Sequence, residues 1–300
     1  MIDGMETAVL KSFEYITGEE FDFLEARRRA VLARLPLFIE SFRQIRNLDR
    51  RPALECPFSI HDPAFPLGPS LRHRAETGKI ASAASVDALS VAMVHGSFDP
   101  FHLGHLFMGL DAVRDGTCDF ALFMPNADRT HGGATLKPDK SPFAWRSRTV
   151  LSGGVDDMFP ALRYSSFGIR GGTVESHRRL LEANRPLLES LKSFEFWIVI
   201  GSDILYRRGF EKWTNTTYRE LVSLLRLPSL EIRFRIVERA GYAFNPELVR
   251  ALDFPWTLVS EVSLASSTAI REDPIGAMWL YPGGVVALES FLLYGRFRQR

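Results

Sequence analysis

The stretch that most constrains the fold is a short apolar run, Val91–Val94, leading through His95 to Gly96 and then to His102 and His105. A strand that ends at a glycine lets backbone amides approach an anion with no Cβ in the way. A helix opening near His102 adds unpaired N–H groups and the positive end of a helix dipole. Residues 91–105, VAMVHGSFDPFHLGH, therefore read as a strand–turn–helix unit suited to polyphosphate binding. His102 and His105 alone would also suit a helix cap and a packed core histidine. Gly96, Asp99, Pro100 and Gly104 form a turn that packing alone hardly justifies, which favours the anion-binding reading.

Further along, short apolar runs alternate with helical patterns. Residues 90–95, 119–125, 196–200, 231–237 and 256–260 are predicted strands. Such alternation implies an α/β fold with a mostly parallel sheet and right-handed crossovers, which places helices on both faces. Ligands in such sheets sit outside the carboxyl ends of the strands, and the polar residues singled out below mostly fall there.

The 37 Lys and Arg nearly balance the 36 Asp and Glu, and a net charge of +1 gives no electrostatic reason to expect nucleic acid as a partner. A hydrophobic fraction of 46% suits a packed core. Cys56 and Cys118 lie far apart without metal-binding or redox spacing, which fits a reducing compartment. The first residues lack the basic and apolar regions of a secretory signal, and no run approaches a membrane span. A cytoplasmic protein with no membrane partner is expected.

Residues 1–88 read as a separate helical extension with a proline-rich linker, and residues 89–300 as the main domain. Between Phe21 and Asn47, apolar residues recur at helical spacing among arginines such as Arg27, Arg28 and Arg29, the pattern of an amphipathic helix with a solvated basic face. Pro52, Pro57, Pro63, Pro66 and Pro69 then disfavour helix. The extension is a candidate surface for a protein partner or for self-association.

The pattern G-[ST]-F-D-P-x-H-x-G-H over residues 96–105 resembles the signature of the nucleotidyltransferase superfamily that includes nicotinate and nicotinamide mononucleotide adenylyltransferases. The resemblance implies a Rossmann-like domain that binds ATP through Gly96, Ser97, Phe98 and Gly104. It also implies that His102 and His105 face the phosphates and stabilise the charge that develops on attack at the α-phosphorus. Two further segments extend it. Leu264–Arg271 is similar to the superfamily's carboxyl-terminal S-[ST]-T-x-[IL]-R element, which implies that Ser266, Ser267, Thr268 and Arg271 grip the phosphates that leave as pyrophosphate. Taken by itself, that segment is an ordinary helix cap.

Phe196–Leu205 followed by Phe210–Trp213 is similar to the I-[IV]-G-x-D strand and F-x-x-W segment of nicotinate mononucleotide adenylyltransferases. The likeness implies ATP contacts from Gly201 and Asp203, and a pyridine ring stacked on Trp213; an ordinary core tryptophan is the alternative. The likeness also implies an acceptor contact from Asn126, in Phe123–Asp128. Lys140, with Phe143 and Arg148, fits the family's K-x-P-F-x-x-x-x-R spacing, and Lys137 is the rival for the triphosphate. Ile236–Tyr242 resembles the family's V-x-R-x-G-Y run and reads as structural, with Gly241 and Tyr242 shaping a loop. The family's S-Y-T-x-x-T element corresponds to Gly171–Ser176, which keeps Thr173 as an acceptor contact but lacks the tyrosine. The resemblance thus implies ATP and a pyridine mononucleotide as substrates, with Mg2+ carried on the ATP phosphates, since no carboxylate cage is visible.

Overall fold

The computed structural model describes residues 88–263, apart from 100, 115, 129–142, 144–145, 148–149, 151–161, 166, 170–171 and 240. The extension expected over residues 1–88 therefore falls, except for Ala88, outside the described residues. So do Lys137, Lys140 and Arg148, the element Ser266–Thr268 with Arg271, and Cys56.

Six parallel strands form one sheet. In chain order the elements are β1 (Ala88–Gly96), α1 (Leu103–Arg114), β2 (Phe120–Pro125), β3 (Leu162–Tyr164), α2 (Thr173–Ala183), α3 (Arg185–Ser190), β4 (Ser193–Gly201), α4 (Phe210–Leu225), β5 (Leu230–Arg239) and β6 (Trp256–Ser263). The spatial order is β3-β2-β1-β4-β5-β6, and every neighbouring pair is parallel. All five predicted strands are present. The sixth, β3, is three residues long and contains Arg163, too short and too polar to stand out in the sequence.

Parallel strands covered on both faces need apolar side chains in both directions, which is why β1, β2 and β4 read as runs rather than alternations. Val91, Ala92 and Met93 are buried, as is all of β2, and the middle of β4 from Phe196 to Val199. The chain moves outward from β1 through β2 to β3, then returns to β4 on the other side of β1 and moves outward again. Right-handed crossovers in opposite directions put α1 on one face and α4 on the other, with α2 packed against α4. The strand order thus reverses between β1 and β4, the position at whose carboxyl edge sheets of this kind form a ligand crevice. A buried ion pair, Arg235 Nη2 to Asp111 Oδ2 at 2.5 Å, ties β5 to α1 across the sheet and fixes the helix that carries the histidines.

Among the described residues, no helix is long and apolar enough to cross a membrane.

Candidate functional site

The turn after β1 is built under tension. Phe98 holds φ at 50°, a region that bulky side chains rarely occupy and that costs on the order of 1–2 kcal/mol. It stays there because its ring is buried, edge-on to Phe101 at 5.4 Å, to His105 at 4.9 Å and to Phe123 at 6.3 Å. Gly96 makes room for that ring, since a Cβ at residue 96 would stand 2.8 Å from Phe98 Cε1. Phe98 therefore supports the histidines from beneath, fully shielded from the crevice.

His102 caps the helix and lies in the candidate site. Its carbonyl accepts from the amides of His105 at 2.9 Å and Leu106 at 3.1 Å, which starts α1, and its Nδ1 accepts from the Gly104 amide at 3.1 Å. Burial, and then the charge of Arg239, lowers its pKa to about 3, so the ring is neutral and carries its proton on Nε2. His105 stacks on it with ring centroids 3.7 Å apart. Its pKa too is held well below the ordinary histidine range, by burial first and then by His102 and Arg239. His102 Nε2 and His105 Nδ1 are buried and have no hydrogen-bond partner among the described residues. Two such orphaned nitrogens, side by side at a helix N-terminus, suit an anionic ligand.

Arg239, at the end of β5, brings a cation to this site among the described residues, although its segment reads as structural in the sequence. Its Nη1 lies 3.3 Å from Asp203 Oδ1, and its field reaches both histidines. A Cβ on Gly201 would collide with the Asp203 carboxylate and stand 2.5 Å from Arg239 Cδ, so any side chain there would push both groups from their places. Ser202 secures the same corner: its hydroxyl donates to the Tyr242 carbonyl at 2.6 Å and accepts from the Arg239 amide at 3.0 Å. The ends of β1, β4 and β5 thus bring together His102, His105, Asp203 and Arg239.

A second residue missed by the sequence reading is Arg146, which is 1% exposed. It donates to the Ser97 carbonyl at 2.8 Å, to Asn126 Oδ1 at 3.1 Å and its carbonyl at 2.7 Å, and to Asp128 Oδ1 at 2.6 Å. This staple joins the turn after β1 to the turn after β2. It also orients the Asn126 carboxamide by engaging its oxygen. Spacing alone could not say which arginine of Trp145-Arg-Ser-Arg148 turns inward.

Trp213 lies on the first turn of α4 and is 52% exposed, which rules out the core-tryptophan alternative. Thr173 opens α2, where Gly172 caps the helix without a side-chain hydrogen bond. Because α2 and α4 run antiparallel to the strands, both helix starts lie at the carboxyl edge of the sheet. Among the described residues, no group of three or more His, Cys, Asp or Glu comes together to hold a metal ion.

A comparison with protein-family models matches none. The probable nicotinate-nucleotide adenylyltransferase of Clostridium perfringens is 24% identical over 220 residues, which span 69% of this chain and 98% of that protein. The chain is thus similar in sequence to proteins named as probable nicotinate-nucleotide adenylyltransferases. A second similar protein, the probable nicotinate-nucleotide adenylyltransferase of Trichlorobacter lovleyi, is 27% identical over 187 residues, or 61% of this chain and 79% of that protein. Among solved structures, the Plasmodium falciparum nicotinic acid mononucleotide adenylyltransferase aligns with a TM-score of 0.48 and 12% identity, over 69% of this chain and 97% of that one.

Proposed function

We propose that this protein is a nucleotidyltransferase that moves AMP from ATP to nicotinate mononucleotide, giving the dinucleotide and pyrophosphate. The observation that carries this reading is the pair of buried, unpartnered imidazole nitrogens of His102 and His105 within the field of Arg239. In the reaction, an oxygen of the acceptor's 5′-phosphate attacks the α-phosphorus of ATP in line. The bond to the bridging oxygen breaks, and pyrophosphate leaves with the electron pair. No protein nucleophile is needed. His102 supplies a neutral Nε2–H donor already aimed and desolvated, and Arg239 supplies fixed positive charge, so little reorganisation accompanies the step.

Ser97, Gly104, Gly201 and Asp203 are proposed ATP contacts. Trp213, Asn126 and Thr173 are proposed acceptor contacts, with Trp213 offering an open indole face to the pyridinium ring. Lys140, Ser266, Ser267, Thr268 and Arg271 complete the proposed phosphate grip. Asp203 pairs with Arg239, and no cluster of carboxylates gathers among the described residues, which fits Mg2+ arriving on the triphosphate oxygens of the substrate. A cytoplasmic location, and a partner or second copy engaged through residues 1–88, belong to the same proposal.

Pyrophosphate release from ATP, measured with nicotinate mononucleotide, nicotinamide mononucleotide and phosphopantetheine, tests the assignment. Turnover should be fastest with nicotinate mononucleotide. Turnover confined to phosphopantetheine would overturn the acceptor, and ATP binding without turnover on any acceptor would turn the reading towards a nucleotide sensor.

A further inference from the structure

The residue before Gly96 is a histidine that none of the roles above uses. His95 is the penultimate residue of β1, half-buried, and in register with Met124 of β2. Side chains alternate across a strand, so His95 leaves the sheet on the face opposite Val94. There it meets α2: His95 Nδ1 lies 3.2 Å from Nε2 of the buried His177. His177 Nδ1 lies in turn 3.2 Å from the hydroxyl of Tyr218 on α4. Tyr218, His177 and His95 form one line of hydrogen bonds from the interior to the crevice edge of β1.

The direction of that line follows from its protons. Tyr218 is 2% exposed, and burial pushes its phenol well above the ordinary tyrosine range, so the hydroxyl keeps its proton. A buried hydroxyl that donates to nothing forfeits a hydrogen bond, so the proton is directed at His177 Nδ1. Burial holds His177 neutral, which leaves its one ring proton on Nε2. That proton is donated to His95 Nδ1. His95 in its neutral form then carries its own proton on Nε2. Protonation of His95 at Nδ1 would set two N–H groups face to face at 3.2 Å. The line enters from the side that carries Thr173, which is one helical turn before His177 on α2.

We infer that His95 is a further acceptor-binding residue whose Nε2–H donates to an oxygen of the acceptor mononucleotide, and that His177 and Tyr218 are positioning residues that fix its tautomer. The inference rests on the adenylyl-transfer reading above. A neutral donor orients the attacking phosphate or its ribose without cancelling the charge needed for attack. Its loss therefore shows in acceptor binding more than in the rate of the bound complex.

Steady-state kinetics on the full chain test this. His95→Leu should raise the KM for the acceptor about tenfold, the scale of one hydrogen bond to a charged group, with the KM for ATP within about twofold. His95→Gln, whose side-chain amide can place an N–H near the lost Nε2, should recover most of the effect. Tyr218→Phe keeps the ring packed on Phe234 and Phe254 and removes only the hydroxyl. It should raise the acceptor KM by about threefold. Nitrogen-15 spectra of labelled histidines should show His95 protonated on Nε2 in the wild type and partly shifted towards Nδ1 in Tyr218→Phe.

Turnover by the wild type with an unchanged acceptor KM in His95→Leu, or wild-type His95 protonated on Nδ1, overturns the inference alone. If His95→Leu does not fold, Tyr218→Phe decides it by the same two measurements. No wild-type turnover with either pyridine mononucleotide overturns the adenylyl-transfer reading, and the inference with it.

Discussion

Acid should weaken the fold through the histidines of the site, and His102→Asn isolates the contribution of one of them. In the folded chain the pKa of His102 is lowered from 6.5 to about 3, by burial and then by Arg239, whereas the unfolded chain titrates normally. Below pH 6.5 the unfolded state therefore binds a proton that the folded state refuses. Stability is fully present above that pH and falls as pH drops towards about 3. Each pH unit in this window costs about 1.4 kcal/mol per such group, so at pH 5 His102 alone removes about 2 kcal/mol. His105 and His177, also held down by burial, act in the same direction.

Asparagine at residue 102 retains an oxygen that can accept the Gly104 amide, so the cap survives without the titration. Urea unfolding at pH 7.5 and at pH 5 measures the difference. The wild type should lose about 2 kcal/mol more than His102→Asn between the two conditions. Equal losses would show that His102 titrates normally in the folded chain and would refute the neutral-imidazole assignment.

His105→Ala should slow pyrophosphate release by two orders of magnitude or more while circular dichroism stays unchanged; wild-type turnover would remove His105 from the site. Trp213→Ala should raise the acceptor KM about tenfold with little change in melting temperature, because the indole is exposed, and an unchanged KM would reject the stack. Arg146→Leu should destabilise the fold by about 2–4 kcal/mol, because it strips the Ser97 and Asn126 carbonyls of a buried donor, and a loss below about 1 kcal/mol by chemical denaturation would count against the staple.

Much of the scaffold was legible because its physics is local. Burial on both faces turns β1, β2 and β4 into apolar runs, and the glycine that ends β1 marks the turn. The histidines carry two readings, cap and ligand contact; the structure shows the cap on His102 Nδ1, and Nε2 has no hydrogen-bond partner among the described residues. The parts that were not legible depend on long-range geometry. Arg239 looked structural because its partners, Asp203 and the two histidines, lie on other strands. The family spacing points to Arg148, and nothing local in the sequence shows that the Arg146 side chain turns towards Ser97 and Asn126. His177 and Tyr218 are 41 residues apart and become neighbours only when α2 packs on α4.

The central claim is that the α-phosphoryl group of ATP passes to a pyridine mononucleotide at this site. A single-turnover reaction with ATP labelled at the α-phosphorus and nicotinate mononucleotide tests it most directly. The label should appear in the dinucleotide, with one pyrophosphate released per product. Label that stays in ATP, or emerges only as AMP or ADP, would contradict it.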